Sequence, residues 1–595
     1  MSPKSIVQSF SLNLGYLNGY NKEKFIKDLV AGLTVAAVLV PQAKAYALLA
    51  GMPPINGLYA SLLAPLVAVI FGSSRFLGTG PVAMVAILVT STLLPFAKPG
   101  TSEWVGLAGL LALMVGITIL LIGIFRLAFI LDLISHSVIV GFISAGALVI
   151  SANQLGGVLG FSTTKSTQIF SLLADIAQKL HQTNPYTVMV SILAFVIIYL
   201  SRKIHPLMPG ALIAVVITTL ISYLLDLKGR YGVSIVEDVP AGLPPISLPP
   251  IDLQVLSALW GGAIVVAAIG LLEALAIAKK FAVEKGDKWD PNKELVGQGL
   301  SNIVAGFMQG FPISGSFSRS ALYYRLETAS PIAHAVVSLV ILITLLFFAP
   351  LFYYLPKATL SVIILTAVIP LVKPQEIRHL YHINPIDGVV AGLTFISVFI
   401  MELWQAILMG AILAFGSFVY KTMYPRIVVI TRNPKTQTFE NAEAEGLVEC
   451  PQILYVRPQM SIYFGNAEYV SNYIVEKVQE RKDRGLKFVF IDLEASNYMD
   501  AVGAENFIRM LQRIKSMGLS PALGNINRIV MPVLERAGLK KVVPEDMIFG
   551  SKGQSLKILL EEIDHQFCAK VCPHVVFKEC VEFKSGEKKL SSWED

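Results

Sequence analysis

Charge is what this sequence has least of. Only 15% of its 595 residues are Asp, Glu, Lys or Arg, where soluble domains run near 25%. With 54% hydrophobic residues and a mean hydropathy of +0.64, a wholly soluble protein is excluded. The apolar part holds no nucleophile–base pair and no cluster of metal-binding side chains, so no enzyme, cofactor or metal is expected there. Cysteine is nearly absent: there are four, three of them at or beyond Cys568, and a reduced tail needs no disulfide. No cleavable leader is expected, because the first apolar run follows a polar stretch ending in Lys27-Asp28. The net charge of +7 is distributed among loops and makes no nucleic-acid footprint.

What the sequence has is apolar runs, concentrated before Lys421, and two of them are too short. Gly78-Thr79-Gly80-Pro81 and Ser314-Gly315-Ser316-Phe317-Ser318-Arg319 each open one. From Pro81 to Phe96 there is room for about 24 Å of helix, and from Phe317 to Glu327 about 16 Å. A bilayer core of ~30 Å needs about 20 residues. Paired half-helices in corresponding places of a polytopic chain mark a transporter with its substrate near mid-membrane.

The hydropathy pattern gives about fourteen membrane segments, starting near residues 30, 55, 81, 104, 131, 186, 210, 256, 296, 317, 330, 357, 385 and 403. An even count puts both termini on one side. Arg75, Arg126, Arg202-Lys203, the cluster from Lys279 to Lys293, then Lys373, Arg378, Lys421 and Arg426 fall there, which makes it the cytoplasm. Residues 30–83 and 258–319 share one order: helix, Gly-containing turn, helix, short extended piece (Arg75-Phe76-Leu77 or Gly310-Phe311-Pro312-Ile313), half-helix. Seven segments separate them, and an odd number inverts the second copy relative to the first.

The first N–H groups of a helix lack intrahelical partners, and the peptide dipoles amount to about half a positive charge at that end. Two such ends facing each other in a low-dielectric setting suit a small oxyanion. Gly78, Gly80 and Gly315 let an anion reach the backbone, Ser314, Ser316 and Ser318 add hydroxyl donors, and Arg319 adds a full charge.

These pieces resemble the sulfate permease (SulP, or SLC26) family of anion transporters. The resemblance rests on Val40-Pro41-Gln42, Ala45-Tyr46-Ala47, Gly57-Leu58-Tyr59-Ala60-Ser61, Gly80-Pro81-Val82-Ala83, Glu294-Leu295-Val296-Gly297-Gln298-Gly299, Asn302-Ile303-Val304-Ala305-Gly306 and Ser316-Phe317-Ser318-Arg319-Ser320. It implies an α-helical polytopic membrane protein of 14 segments in a 7+7 inverted repeat, working as an elevator, usually as a homodimer in the cell membrane. Substrate contacts implied by the motifs are Gln42, Tyr46, Gly80, Val82, Phe317, Ser318 and Arg319. Gln42 and Tyr46, four apart, share a helix face. Lys44 departs from the family pattern, and about 200° from Gln42 on the helix it points away from the substrate. It is expected to reach a cavity or a neighbouring carboxylate, the alternative being anion attraction or coupling.

Glu273 sits in an apolar run, where a carboxylate must be paired, wetted or protonated. In the family this position is tied to proton coupling. Sodium-coupled bicarbonate relatives resemble a different pattern, with Asp here and a hydroxyl one turn on, whereas Ile277 offers a cation no oxygen. Proton coupling is favoured, with a structural Glu273–Lys44 pair as the alternative. Asp132, His136 and His334 read as interfacial or packing groups.

After 1–426 as the transporter domain, residues 427–446 read as a polar linker and 447–563 as a small α/β domain resembling the STAS fold, with strands at Gln452–Val456, Phe488–Leu493 and Ser520–Gly524. Ala501 follows Asp500 where bacterial antagonists of this fold carry a phosphorylatable Ser, so that switch is ruled out. Gly550-Ser551-Lys552-Gly553 looks faintly like a phosphate cradle without the spacing of a P-loop. The tail, 564–595, holds His565, Cys568, Cys572, His574 and Cys580. The spacing permits zinc but fits no standard knuckle, and packing on the STAS domain is the preferred reading. The expected function is proton-coupled uptake of an inorganic oxyanion, sulfate first. The alternatives are bicarbonate transport, anion exchange, or, from another class, a membrane-anchored STAS regulatory protein.

Overall fold

The computed structural model describes residues 20–129, 135–163, 169–205, 208–237, 242–249, 252–401, 403–433 and 435–585; Asp132 lies outside them. The chain divides into two compact units, one up to Phe415 and one from Gly416.

The first unit is helical. Helix α1 (Lys22–Leu49) starts at Asn21, whose side chain accepts the Lys24 N–H, with Glu23 in its first turn. A short hairpin leads into α2 (Pro54–Leu62) and α3 (Ala64–Phe71), then strand β1 (Gly78–Gly80) and the short helix α4 (Ala83–Leu93). There follow α5 (Ser102–Ile124), α6 (His136–Leu159), α7 (Ile169–Lys179), α8 (Pro185–Ile204), α9 (Gly210–Leu225) and α10 (Leu227–Tyr231). The second half runs α11 (Leu253–Lys285), α12 (Pro291–Phe307), strand β2 (Ser314–Ser316), the short α13 (Phe317–Arg325) and α14 (Ile332–Ile343). It ends with α15 (Lys357–Val368), α16 (Pro374–Ile383), α17 (Pro385–Ile400) and the first part of α18 (Leu403–Met423), a helix that crosses the boundary at Phe415. Among the described residues eight helices are long and apolar enough to cross a membrane, or nine if a pair bent at residues 183–184 counts as one.

Glycine spacing explains the tightest helix pair. Gly109, Gly116 and Gly123 recur every seventh residue along α5, and Gly299 and Gly306 do so along α12. A Cβ on Gly116 would stand 2.7 Å from the Ile303 amide nitrogen and 2.8 Å from the Gly299 carbonyl. Without side chains at those points the two backbones close up, as lipid-embedded helices require. Two fully buried carboxyls then fix the loops beside the short helices. Asp28 accepts the Ala329 and Ser330 N–H groups ahead of α14, and Glu294 accepts those of Ser73 and Ser74 ahead of β1.

The second unit is a six-stranded sheet in the order β4-β3-β5-β6-β7-β8. Its strands are β3 (Ile427–Arg432), β4 (Phe439–Asn441), β5 (Ile453–Pro458), β6 (Phe488–Asp492), β7 (Ser520–Gly524) and β8 (Ile548–Phe549). Strands β5 to β8 run parallel and β3 antiparallel to β5. Residues 427–446 are therefore no linker: they carry two strands of the sheet. Strand β5 shows the two-residue period directly, Leu454 and Val456 entering one core and Ile453 and Tyr455 the other. The first core is covered by α19 (Ala467–Lys482), α20 (Ala501–Ser516) and α21 (Met531–Arg536). The second lies under α22 (Lys552–Glu562), α23 (His565–Lys570) and α24 (Glu579–Ser585), so the C-terminal segment packs into the unit.

Candidate functional site

The two short helices are brought together by their leaders. Strands β1 and β2 pair antiparallel, with Gly78 opposite Ser316, Thr79 opposite Gly315 and Gly80 opposite Ser314. The extended piece lies at 78–80, not at the expected 75–77, because Glu294 and Ser74 hold the chain turned just before it. Antiparallel leaders send α4 and α13 off in opposite directions with their N-termini beside the ribbon. Neither start, at Val82 or Ser316, has a side-chain cap, so the first N–H groups of both helices keep their donor capacity. All six strand residues are buried.

Arg319 locks this arrangement, and it does so differently from the sequence expectation. Its guanidinium is fully buried, donating to the Gly78 carbonyl from Nε (3.3 Å) and Nη2 (3.2 Å) and to the Pro81 carbonyl from Nη1 (2.9 Å). The charge does not stand free for a substrate; it braces one half-helix entrance from the other. Gly78 completes the tie by donating its N–H to the Ser320 hydroxyl at 2.8 Å. A Cβ on Gly78 would meet the Arg319 Cβ at 2.7 Å, and Gly80 has φ +149°, a conformation glycine tolerates.

Helix α11 closes the other edge of the ribbon. Ser314 donates its hydroxyl to the Gly270 carbonyl at 2.6 Å, which removes it from the expected set of anion donors. A Cβ on Gly315 would lie 3.1 Å from the Ala274 Cα. Glu273 falls between these two contacts; its Oε2 is buried without a hydrogen-bond partner, and Arg319 is its electrostatic neighbour. Helix α1 approaches from the other side. Leu39 reaches within 3.7 Å of a Cβ position on Gly80, and Gln42 and Tyr46 continue that face at +3 and +7. Both are buried, and the Gln42 Oε1 has no partner. Tyr46, Glu273 and Tyr323 are the electrostatic neighbours of Arg319. Val82 is buried, whereas Phe317 and Ser318 are exposed. The Phe317 ring lies 5.9 Å from Phe281, and Lys280 Nζ stands 4.8 Å above it.

Three supporting residues were not singled out as functional from the sequence, although all three stand in the family motifs quoted above. Asn302 reads the Ile313 backbone from both sides, accepting its N–H at 2.9 Å and donating to its carbonyl at 3.1 Å. Gln298 donates to the Thr79 hydroxyl at 2.8 Å. Ser320 is the third. They act as a substitute strand edge for a ribbon too short to hold itself.

Residues 25–394 match the model of the sulfate permease family and 446–553 that of the STAS domain. High affinity sulfate transporter 1 of Stylosanthes hamata is 31% identical over 554 residues, 89% of this chain and 83% of the relative. Sulfate transporter 1.2 of Arabidopsis thaliana is 31% identical over 552 residues, 89% and 84% of the two chains.

The chain belongs to the sulfate permease family.

Two solved structures show the same fold. The murine Solute Carrier 26 family member A9 anion transporter in the inward-facing state has a TM-score of 0.86 at 23% identity, covering 94% of this chain and 95% of that one. The transmembrane domain of a cyanobacterium bicarbonate transporter, BicA, scores 0.57 at 21% identity over 66% and 98%. By family, then, this is a multi-pass membrane protein and an anion transporter, not an enzyme.

The remaining polar residues of the permease sort by their partners. Lys44 is fully buried, with Nζ 2.9 Å from the centroid of the Phe352 ring and no hydrogen bond. The Lys44–Glu273 pair, the alternative to proton coupling, is not formed, because Lys44 leaves α1 on the face opposite Gln42. His334 Nε2 lies 3.1 Å from the Arg75 carbonyl and its ring stacks on Tyr323 at 4.2 Å. His136 meets Glu376 at 3.1 Å. A cavity of about 780 Å³ is bounded by residues that include Pro53, Asn56, Tyr59, Gly306 and Gln309, and none of the six ribbon residues lines it. In the STAS unit Asp500 caps α20 by accepting the Gly503 N–H at 2.7 Å. Lys552 is held by Asp492 and Glu494, so the 550–553 turn presents no free cation to a phosphate. Burial pushes the Cys450 thiol up to about 12 and that of Cys568 to about 11.

Proposed function

We propose that this permease takes up sulfate with protons, its fourteen segments forming two inverted sevens that move as an elevator. The anion lies between the starts of α4 and α13, contacted by Gln42, Tyr46, Gly80, Val82, Phe317 and Ser318. Arg319 positions the two starts and adds its field. The observation that carries this reading is the antiparallel pairing of Gly78–Gly80 with Ser314–Ser316 in front of two uncapped helix N-termini. Free backbone donors and two aligned dipole ends favour an anion without demanding a counter-ion. The antiparallel register is also what an inverted repeat produces at its midpoint.

Glu273 supplies the coupling. One turn of α11 places it beside both β2 contacts, in a setting that gives its Oε2 no hydrogen bond. An anionic carboxylate there repels the substrate, and a protonated one admits it, so anion and proton enter together. Both termini lie in the cytoplasm of a cell-membrane homodimer.

Bicarbonate is the second reading, since backbone donors recognise either oxyanion and the fold is shared with a bicarbonate transporter's membrane domain. Labelled sulfate and bicarbonate uptake into proteoliposomes, under imposed proton or sodium gradients, separates them. Sulfate accumulation with an inward proton gradient is expected. Uptake driven by sodium alone overturns the coupling assignment, and bicarbonate uptake without sulfate uptake overturns the substrate.

A further inference from the structure

We infer that Lys280 is a second anion contact of this permease, a station between the starts of α4 and α13 and the cytoplasm. The inference rests on the anion-transport reading above.

The site as described is short of free positive charge. Arg319 gives its donors to the Gly78 and Pro81 carbonyls, and uncapped helix starts offer only partial charges. Three neighbouring cations are engaged by carboxylates: Arg75 by Asp287, Lys285 by Glu327, and Lys27 by Glu23 and Glu327. Lys280 differs. It is exposed, and no carboxylate among the described residues lies within ion-pair distance of it, not even Glu284 one turn further along α11.

Its neighbours place it at the mouth of the site. Glu273 and Lys280 share one face of α11, about 10 Å apart along the axis, with the exposed Ala276 between them. Phe281, on the buried side, packs against Phe317 at 5.9 Å and Tyr324 at 4.9 Å, which holds this turn of α11 against α13. Lys280 Nζ thereby stands 4.8 Å from the ring centroid of Phe317, the first residue of α13. Phe317 and Ser318 are exposed beside it. An aromatic ring orients an ammonium without neutralising it, so the charge stays available within one side chain of the α13 start. Lys279 lies about 100° round the helix and off this face.

A cation at the mouth of a low-dielectric cleft raises the local concentration of anions, and a dianion gains about twice what a monoanion does. Because Lys280 lies on the cytoplasmic side of the ribbon, its field acts on filling from that side. It lowers the sulfate concentration at which the inward-open site is half full.

Sulfate–sulfate exchange in right-side-out and inverted membrane vesicles, without a proton gradient, reads the two sides separately. In Lys280→Gln the half-saturating sulfate concentration should rise about tenfold on the cytoplasmic side and stay unchanged on the external side. Lys280→Arg should restore it. Added salt should weaken cytoplasmic-side binding in the unmodified protein more than in the glutamine variant; a packing role moves neither the sidedness nor the salt dependence. An unchanged cytoplasmic value in Lys280→Gln, an equal rise on both sides, or an arginine variant no better than glutamine overturns the inference. If the unmodified protein exchanges bicarbonate and not sulfate, only the substrate assignment falls, and the same readings with bicarbonate decide the role of Lys280. An unmodified protein that exchanges neither anion overturns the transport reading and this inference with it.

Discussion

Helices α4 and α13 are the same device in two different settings. Each follows a three-residue strand, each starts without a side-chain cap, and each is too short to cross a bilayer. Yet every residue of α4 from Ala83 to Leu93 is buried and none is charged, while in α13 only Arg319, Ser320 and Tyr323 are buried. One half-helix is a fixed wall and the other presents its side chains to accessible space. The backbone geometry is alike and the side chains differ: α4 carries no charge, whereas α13 carries Arg319, whose bonds to Gly78 and Pro81 tie the two starts together.

The largest test of that division is Arg319→Ala. It orphans the buried Gly78 and Pro81 carbonyls, at about 1–3 kcal/mol each, and unhooks the start of α4 from that of α13. Sulfate uptake should fall about 100-fold or more, with a lower melting temperature. Arg319→Lys, whose single ammonium cannot serve both carbonyls in a planar fork, should recover only part of it. Uptake near normal in the alanine variant would show that the two starts hold their geometry without the brace.

Glu273→Gln comes next. Glutamine keeps the volume and stays neutral, so the anion is admitted without a proton. Concentrative uptake under a proton gradient should vanish while sulfate–sulfate counterflow persists. Undiminished accumulation would remove Glu273 from the coupling scheme and leave α11 a purely structural neighbour of the ribbon.

A smaller effect should distinguish the two helices by kind. Val89→Ala in α4 removes fully buried methyl groups and should cost about 2 kcal/mol of stability with KM unchanged. Ser318→Ala at the exposed start of α13 should raise KM several-fold with no change in melting temperature. If both variants behave alike, the division between wall and working face is wrong.

Much of this was legible in the sequence because glycine and proline punctuate it. Gly78-Thr79-Gly80-Pro81 and Ser314-Gly315-Ser316 announced where helix could not continue, and apolar run length showed that what followed was too short. The bracing was not legible. Arg319 read as a free charge, since nothing local reveals that carbonyls 238 and 241 residues away would claim its donors. The same holds for Asn302 on Ile313 and for Cys450 beside Cys568. Residues 427–446 read as a linker because the polar hairpin turn between β3 and β4 masked Ile427-Val428-Val429-Ile430, a short apolar run that the sheet needed.

Lys44 gives the smallest expected effect and the sharpest reading of α1, the helix that both half-helices share as a neighbour. Its ammonium is fully buried, faces the Phe352 ring and has no hydrogen-bond partner. A charge in that position gains a cation–π contact but forfeits far more solvation than one ring returns. Lys44→Met keeps the length and packs the same channel without the charge, so stability should rise or shift by less than about 1.5 kcal/mol, with uptake near normal. Loss of uptake in a variant that melts at the normal temperature would mean that the charge itself acts on the anion or on Glu273. Lys44 would then belong to the site despite pointing away from it. Lys44→Arg, which cannot shed its proton, would separate those two roles: attraction survives it and proton exchange does not.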